Sequence, residues 1–272
     1  MISYIGGKSR MAKWINQYIP TEIENYVEVF GGAFWVYIKN DINKLPNINR
    51  IVYNDVNRFM VNLFQCCTEP HFFLKHIVES GIKSQNEELF YKYQKEIKNT
   101  CDLGFSDYSF DMAMKYAYIA TQVFSGSKIM ESKYIDLKGK YTSKFDTFVK
   151  RLNDPDIMQK LHAITDCTNY DYTECISKYD TNKTFFYLDP PYYKTENYYS
   201  NHDFDSMDHE TLSKWLQNIH GKFALSYYYF EGLEEMYPQK DFRWVAKEFT
   251  KAAGASKGKK QNKGEELLIM NY

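Results

Sequence analysis

The 272-residue chain has no apolar run approaching the ~20 residues that a helix needs to cross a bilayer. Its first eight residues lack the charged-then-apolar order of a secretory leader. Both absences lead us to expect a cytoplasmic protein with no membrane partner. The five cysteines are odd in number and show no paired metal-type spacing, which argues against a zinc site or a disulfide framework. No metal is expected, and Cys66-Cys67 reads as two small apolar residues on a helix. The fingerprint G-x-G-x-x-G is missing, which disfavours dinucleotide enzymes. No internal repeat is visible, and the one biased tract, Ala252–Gly264, reads as a Gly/Lys-rich loop. A net charge of −1 does not by itself advertise a polyanionic partner.

What is present fits a large α/β domain with a sizeable core: 44% apolar and 25% charged residues. Aromatics reach 18%, with 25 Tyr and 19 Phe. Flat side chains fill cores, and they also suit the stacking of bases. Charge is unevenly spread. Between Lys128 and Arg151 seven basic residues (Lys128, Lys133, Lys138, Lys140, Lys144, Lys150, Arg151) face three acids. Between Lys247 and Lys263 six lysines, among them Lys257, Lys259 and Lys260, face one glutamate. Such segments serve as phosphate-contacting arms or simply as solvated loops.

Along the chain, Tyr26–Phe30 is a β-favouring run ending at Gly31-Gly32, and Ala33–Lys39 turns helical. Arg50–Tyr53 is a second strand, closed by Asn54-Asp55, with a helix from Val56 to Cys67. Strand, Gly turn, helix, strand, acid is the opening of a nucleotide-binding α/β unit. Helical stretches follow near Pro70–Ser80, Asn86–Lys98 and Asp111–Phe124, and Lys133–Phe148 reads as a β-hairpin turning near Lys138-Gly139. Further strands are expected at Asp166–Tyr170, Phe185–Leu188, Phe223–Tyr228, Phe242–Phe249 and Leu267–Asn271.

The strongest chemical signal is Asp189-Pro190-Pro191-Tyr192, directly after an apolar strand. In an open parallel sheet, ligands bind beyond the C-terminal strand ends. Consecutive prolines fix φ and carry no N–H, so their carbonyls stand in fixed directions. A carboxylate and a rigid carbonyl are two acceptors for the two N–H donors of an exocyclic amine, and Tyr192 can stack on its ring. Gly31-Gly32 lets backbone approach a ligand closely, although Gly pairs occur in many turns. Asp55, at the next strand end, can accept ribose hydroxyls. Tyr4, Gly7 and Lys8 form a turn with an aromatic and a cation. Asp171, at another strand end, reads as an N-cap more readily than as a ligand.

In their order these residues resemble the Dam-like (class alpha) S-adenosylmethionine-dependent DNA adenine-N6 methyltransferase family. The match carries Gly6-Gly7-Lys8, Glu28-Val29-Phe30-Gly31-Gly32, Asp55-Val56-Asn57, Asp171-Tyr172, Asp189-Pro190-Pro191-Tyr192 and the ending Glu265–Tyr272. The resemblance implies a Rossmann-like methyltransferase sheet with an inserted, mainly helical target-recognition domain carrying the β-hairpin. Residues 1–61 and 162–272 would form the catalytic domain, and 62–161 the insertion. It implies that Tyr4, Gly7, Lys8, Glu28, Phe30, Gly31, Gly32, Asp55, Asp171 and Asp189 hold S-adenosylmethionine. Asp189, Pro190, Pro191 and Tyr192 would hold an adenine flipped from double-stranded DNA. The lysines named above, Lys128, Lys133, Lys138, Lys140, Lys144, Lys257, Lys259 and Lys260, would meet DNA. A monomeric, bacterial or phage-encoded enzyme, such as one paired with a restriction enzyme, is the implied setting.

Three positions depart from the family's common pattern. Phe34 stands where a small residue is usual, which is expected to alter the loop locally. Ser3 replaces a lysine that contacts the first guanine in GATC-specific members, and Thr142–Asp146 replaces their hairpin ending. These departures point away from GATC. Methylation of adenine in RNA, of cytosine N4, or a relic that only binds DNA, are the competing readings.

Overall fold

A computed structural model describes residues 8–82, 85–103, 108–123, 129–135, 144–193, 204–250 and 263–272. Tyr4, Gly7, Lys128, Lys138, Lys140, Lys257, Lys259 and Lys260 lie outside the described residues, as do Ser3 and Thr142-Ser143.

Among the described residues, seven strands form one sheet: β1 Asn25–Glu28, β2 Arg50–Asn54, β3 Asp166–Thr168, β4 Thr184–Leu188, β5 Lys222–Tyr227, β6 Arg243–Thr250 and β7 Lys263–Met270. Their order is β3-β2-β1-β4-β5-β7-β6. The first five run parallel, and β7 lies antiparallel between β5 and β6. The order reverses direction between β1 and β4, which makes a crevice at their C-terminal ends. This is the mixed α/β sheet that the resemblance implies.

Every residue of β4 (Thr-Phe-Phe-Tyr-Leu) is buried, as a central parallel strand covered on both faces must be. Alternate side chains enter two apolar layers. Tyr26, Tyr53, Phe185 and Tyr187 join one, while Val27, Val52, Phe186 and Leu188 join the other. The short helices α1 Ala12–Ile15 and α2 Trp35–Ile38 cover the first face. So do α3 Arg58–Cys67, α4 Pro70–Glu79, α5 Glu87–Leu103, α6 Phe110–Thr121, α7 Lys144–Leu152 and α8 Pro155–His162. On the second face lie α9 Tyr172–Tyr179, α10 Ser206–Gln217 and α11 Leu233–Met236. No helix of the described residues is long and apolar enough to cross a membrane.

The expected hairpin over Lys133–Phe148 is corrected: its second arm is the start of α7. Phe145, Phe148 and Leu152 recur at helical spacing and are buried, with Asp146 in the first turn and Lys150 and Arg151 in the last. That pattern outweighs the turn signal at Gly139. The anticipated boundary at residue 61 falls inside α3. Helices α3 to α8 share one continuous core with the sheet.

Phe34 explains why the helix expected from Ala33 starts only at Trp35. It has φ 56° and ψ 33°, the left-handed conformation, and its ring is fully buried. The ring lies 4.7 Å from Tyr37, 5.1 Å from Tyr53 and 5.6 Å from Phe64. The bulky residue therefore points into the core, and its packing offsets a backbone conformation that a non-glycine residue adopts at a cost.

Candidate active site

A cleft of about 280 Å³ opens at the C-terminal ends of the first three strands. Val29 and Phe30 follow β1, Asn54, Asp55 and Val56 close β2, and Tyr170, Asp171 and Tyr172 follow β3. Phe204 and Asp208 complete the wall. Phe30 stacks on Tyr172 at 5.9 Å and meets Phe204 edge-on at 5.8 Å, so the floor is aromatic. Gly31 is required here: its N–H donates to the Asn54 carbonyl at 2.7 Å, and a Cβ would sit 2.4 Å from the Tyr53 ring. Gly32, at φ 47°, takes the left-handed turn that follows.

Asp55 ties this loop to β2. Its Oδ2 accepts from the Gly32 N–H at 2.7 Å and its Oδ1 from the Asn57 N–H at 2.8 Å. Burial pushes the carboxyl up to about 6, against the pull of those two donors. Each oxygen keeps a lone pair for a ligand hydroxyl. Asp171 caps α9, accepting from the N–H and hydroxyl of Thr173 at 2.9 and 2.6 Å, and it also lines the cleft. Asn54 was not anticipated. It donates to the carbonyls of Val29 and Tyr170 and accepts from the Tyr170 N–H, lacing three strand ends together.

Glu28 turns the other way. Only 2% exposed, its Oε1 accepts from the Tyr26 hydroxyl at 2.7 Å and the Tyr37 N–H at 2.9 Å. It fastens α2 to β1 from inside the core. Burial pushes its carboxyl up to about 8, so the folded chain holds this proton far more tightly than the unfolded chain. Its contribution to stability is complete below about pH 4.5 and is lost as pH rises towards 8. Glu28→Gln should flatten that slope. In thermal melts at pH 5, 7 and 9, the wild type should lose several degrees of Tm relative to the variant at pH 9. Parallel curves would contradict a neutral Glu28.

Beyond β4 lies a second, charged cluster. The Lys8 Nζ stands 2.8 Å from Asp189 Oδ1 and 3.1 Å from Glu266 Oε1. It also bonds the Tyr192 hydroxyl and lies 4.7 Å from the centre of that ring. The Tyr192 hydroxyl donates to Glu266 Oε1 at 2.6 Å. Burial would lower the Lys8 ammonium, but Asp189 and Glu266 hold it above its ordinary value. Asp189 is pushed up to about 6, by burial first; Lys8 pulls it down and Glu266 pushes it up again. Aromatics wall this side: Tyr228 lies 4.3 Å from Tyr192 and stacks on Phe249, and Tyr193 stacks on Phe230 at 4.5 Å.

Of the anticipated residues, the structure brings Lys8, Asp189 and Tyr192 into contact, and gathers Phe30, Asp55 and Asp171 around the cleft. Lys133 and Lys144 are exposed. Glu266 and Tyr228 were missed. An acid followed by Leu268 and Met270 on one buried strand face was the available signal for Glu266.

The family model described as D12 class N6 adenine-specific DNA methyltransferase matches residues 4–252. The type II methyltransferase M.FokI of Planomicrobium okeanokoites is 24% identical over 249 residues, 83% of this chain and 35% of that protein. The modification methylase StsI of Streptococcus sanguinis is 26% identical over 245 residues, 83% of this chain and 34% of that protein. The chain thus spans about a third of the length of these curated relatives.

Proposed function

Because the chain belongs to the D12 class N6 adenine-specific DNA methyltransferase family, we propose that it methylates N6 of an adenine flipped out of duplex DNA, using S-adenosylmethionine. The observation that carries this reading is a half-buried Asp189 held by Lys8 at the end of β4, with the Tyr192 ring beside it, on the same sheet as an acid-lined, aromatic-floored cleft.

The cleft's donor set suits an adenosine carrying an amino-acid tail. Asp55 accepts ribose hydroxyls, Asp171 accepts the adenine amine, Phe30 offers a flat apolar surface, and Gly31-Gly32 allows close backbone approach. When bound, S-adenosylmethionine supplies an electrophilic methyl group on a positively charged sulfur. Asp189 and the Pro190 carbonyl accept the two N–H donors of the target amine. That draws the nitrogen towards tetrahedral character and frees its lone pair, while Tyr192 stacks on the ring and holds it in line. An acceptor carboxylate must be ionised, so activity should fall as pH drops through about 6.

A basic band beside the cluster supports a polyanionic substrate. Lys39 donates to the Ser9 carbonyl at 2.8 Å, one residue from Lys8, and lies 5.6 Å over the Trp35 ring. Arg151, from α7, lies over the same ring at 5.2 Å. Burial and the neighbouring charges of Arg151 and Lys13 lower the Lys39 ammonium, as expected where cations crowd together. We assign this band, with Lys133 and Lys144, to the phosphate backbone, and the segment 62–161 to target recognition.

The test is incubation with tritiated S-adenosylmethionine and unmethylated duplex DNA, followed by digestion to nucleosides. Label is expected in N6-methyldeoxyadenosine. Label in N4-methyldeoxycytidine, or only in RNA, would sink this reading, as would no label at all.

A further inference from the structure

We propose that Glu266 is a positioning residue of the methyl-transfer site, fixing Tyr192 for stacking on the target base and supplying the negative charge that Lys8 alone would cancel. This inference rests on the methyltransferase reading above.

Glu266 is only 2% exposed, on the inner face of β7 in line with Leu268 and Met270. A carboxylate among apolar neighbours is costly unless it is paired and hydrogen-bonded. Leucine at this position would continue the apolar stripe but would leave Lys8 to Asp189 alone and the Tyr192 hydroxyl without this acceptor. What it does is visible in its two contacts. One oxygen, Oε1, faces the Lys8 ammonium at 3.1 Å and accepts the Tyr192 hydroxyl at 2.6 Å. The same atom therefore sets both the cation that touches Asp189 and the ring that follows it in the chain.

The charge count gives the second half of the argument. A buried site holding only Lys8 and Asp189 would be neutral. Glu266 sets a second acid against the one cation, 3.1 Å from the Lys8 ammonium, close to where an amine nitrogen becomes positive in the transition state. Glu266 also draws on the Lys8 charge that would otherwise go wholly to Asp189, leaving Asp189 a better acceptor. The groups around Asp189 are Lys8 from the N-terminal turn, Glu28 from β1, Tyr187 from β4, Tyr192, Tyr228 beyond β5, and Glu266 from β7. Among these, Glu266 is the acid that bonds both Lys8 and Tyr192.

Glu266→Gln keeps an oxygen for the Tyr192 hydroxyl and removes the charge. Tyr192→Phe keeps the ring and the charge and removes the bond. Rates are read with tritiated S-adenosylmethionine on unmethylated phage DNA across pH 5 to 9, with S-adenosylmethionine affinity from calorimetry. For Glu266→Gln the single-turnover rate should fall 10- to 100-fold. Its acid limb should move at least half a pH unit lower, because removing the negative neighbour lets Asp189 ionise more easily. S-adenosylmethionine affinity should stay within about threefold. For Tyr192→Phe the KM for DNA should rise severalfold, and the acid limb should shift towards higher pH, opposite to Glu266→Gln, because the Tyr192 hydroxyl also holds the Asp189 carboxyl down. A Glu266→Gln protein that keeps the wild-type rate and pH profile overturns the inference. If that variant does not fold, a wild-type KM in Tyr192→Phe overturns the positioning role. An inactive wild type would instead bring down the methyltransferase reading, and this inference with it.

Discussion

Asp189→Ala is expected to lower methyl transfer to DNA by at least about 10³-fold while leaving S-adenosylmethionine binding within a few-fold of wild type. Removing a single preorganised partner of a charge-developing atom costs about 10²–10³ in rate. Here the loss is larger, because the substitution also uncovers Lys8, placing a cation where the amine nitrogen becomes positive. The fold should tolerate the change. Lys8 keeps Glu266 at 3.1 Å, and the cleft formed by Phe30, Asp55 and Asp171 does not depend on Asp189. Single-turnover labelling and calorimetry on the same preparation separate the two effects. A variant that keeps a tenth of the wild-type rate would show that another group accepts the amine protons.

Lys8→Met should be the most damaging single change to stability near neutral pH, at about 3–5 kcal/mol. That is the usual cost of removing one partner from a buried ion pair. Asp189 and Glu266 would then lie together without the cation that links them. The direction with pH follows from Asp189. Its carboxyl is already raised to about 6 although Lys8 pulls it down, so without Lys8 it rises further. A raised carboxyl favours the folded state while protonated and penalises it once ionised. The loss in Lys8→Met should therefore be small at pH 5 and large at pH 8. Urea titrations at the two pH values test this, and equal losses at both would contradict it. Methyl transfer should fail at neutral pH as well, because a protonated Asp189 no longer accepts both the amine and its neighbours.

The parts of the site that lie in one stretch of chain were legible. Asp189–Tyr192 directly follows an apolar strand, and Gly31-Gly32 ends another, so local order alone located both. All seven strands were anticipated within a few residues, because their runs of β-branched and aromatic residues are short and well bounded. What failed depended on distant packing. The hairpin was read from Gly139 and lysine-rich sequence, whereas the burial of Phe145, Phe148 and Leu152 against a remote core makes Lys144–Leu152 a helix. The form of the alteration at Phe34 was equally hidden: a left-handed residue before α2, its ring held inward by Tyr53 and Phe64. Glu28 sits in the motif of the ligand loop, yet its partners Tyr26 and Tyr37 claim it for the core. Glu266 could not be placed without knowing that β7 runs beside β5, within reach of Lys8.

Residues 8, 189 and 266 meet at one ammonium group, although they are separated by most of the chain. β7 reaches them only by inserting between β5 and β6 after both have been made. On a ribosome, a nascent chain that has already emerged through Tyr192 would have the acceptor motif but neither Phe204 and Asp208 of the cleft wall nor Glu266. The ion cluster is complete only once β7 is in place, so under the proposed function a protein stopped short of Glu266 would lack the acid that holds both Lys8 and Tyr192.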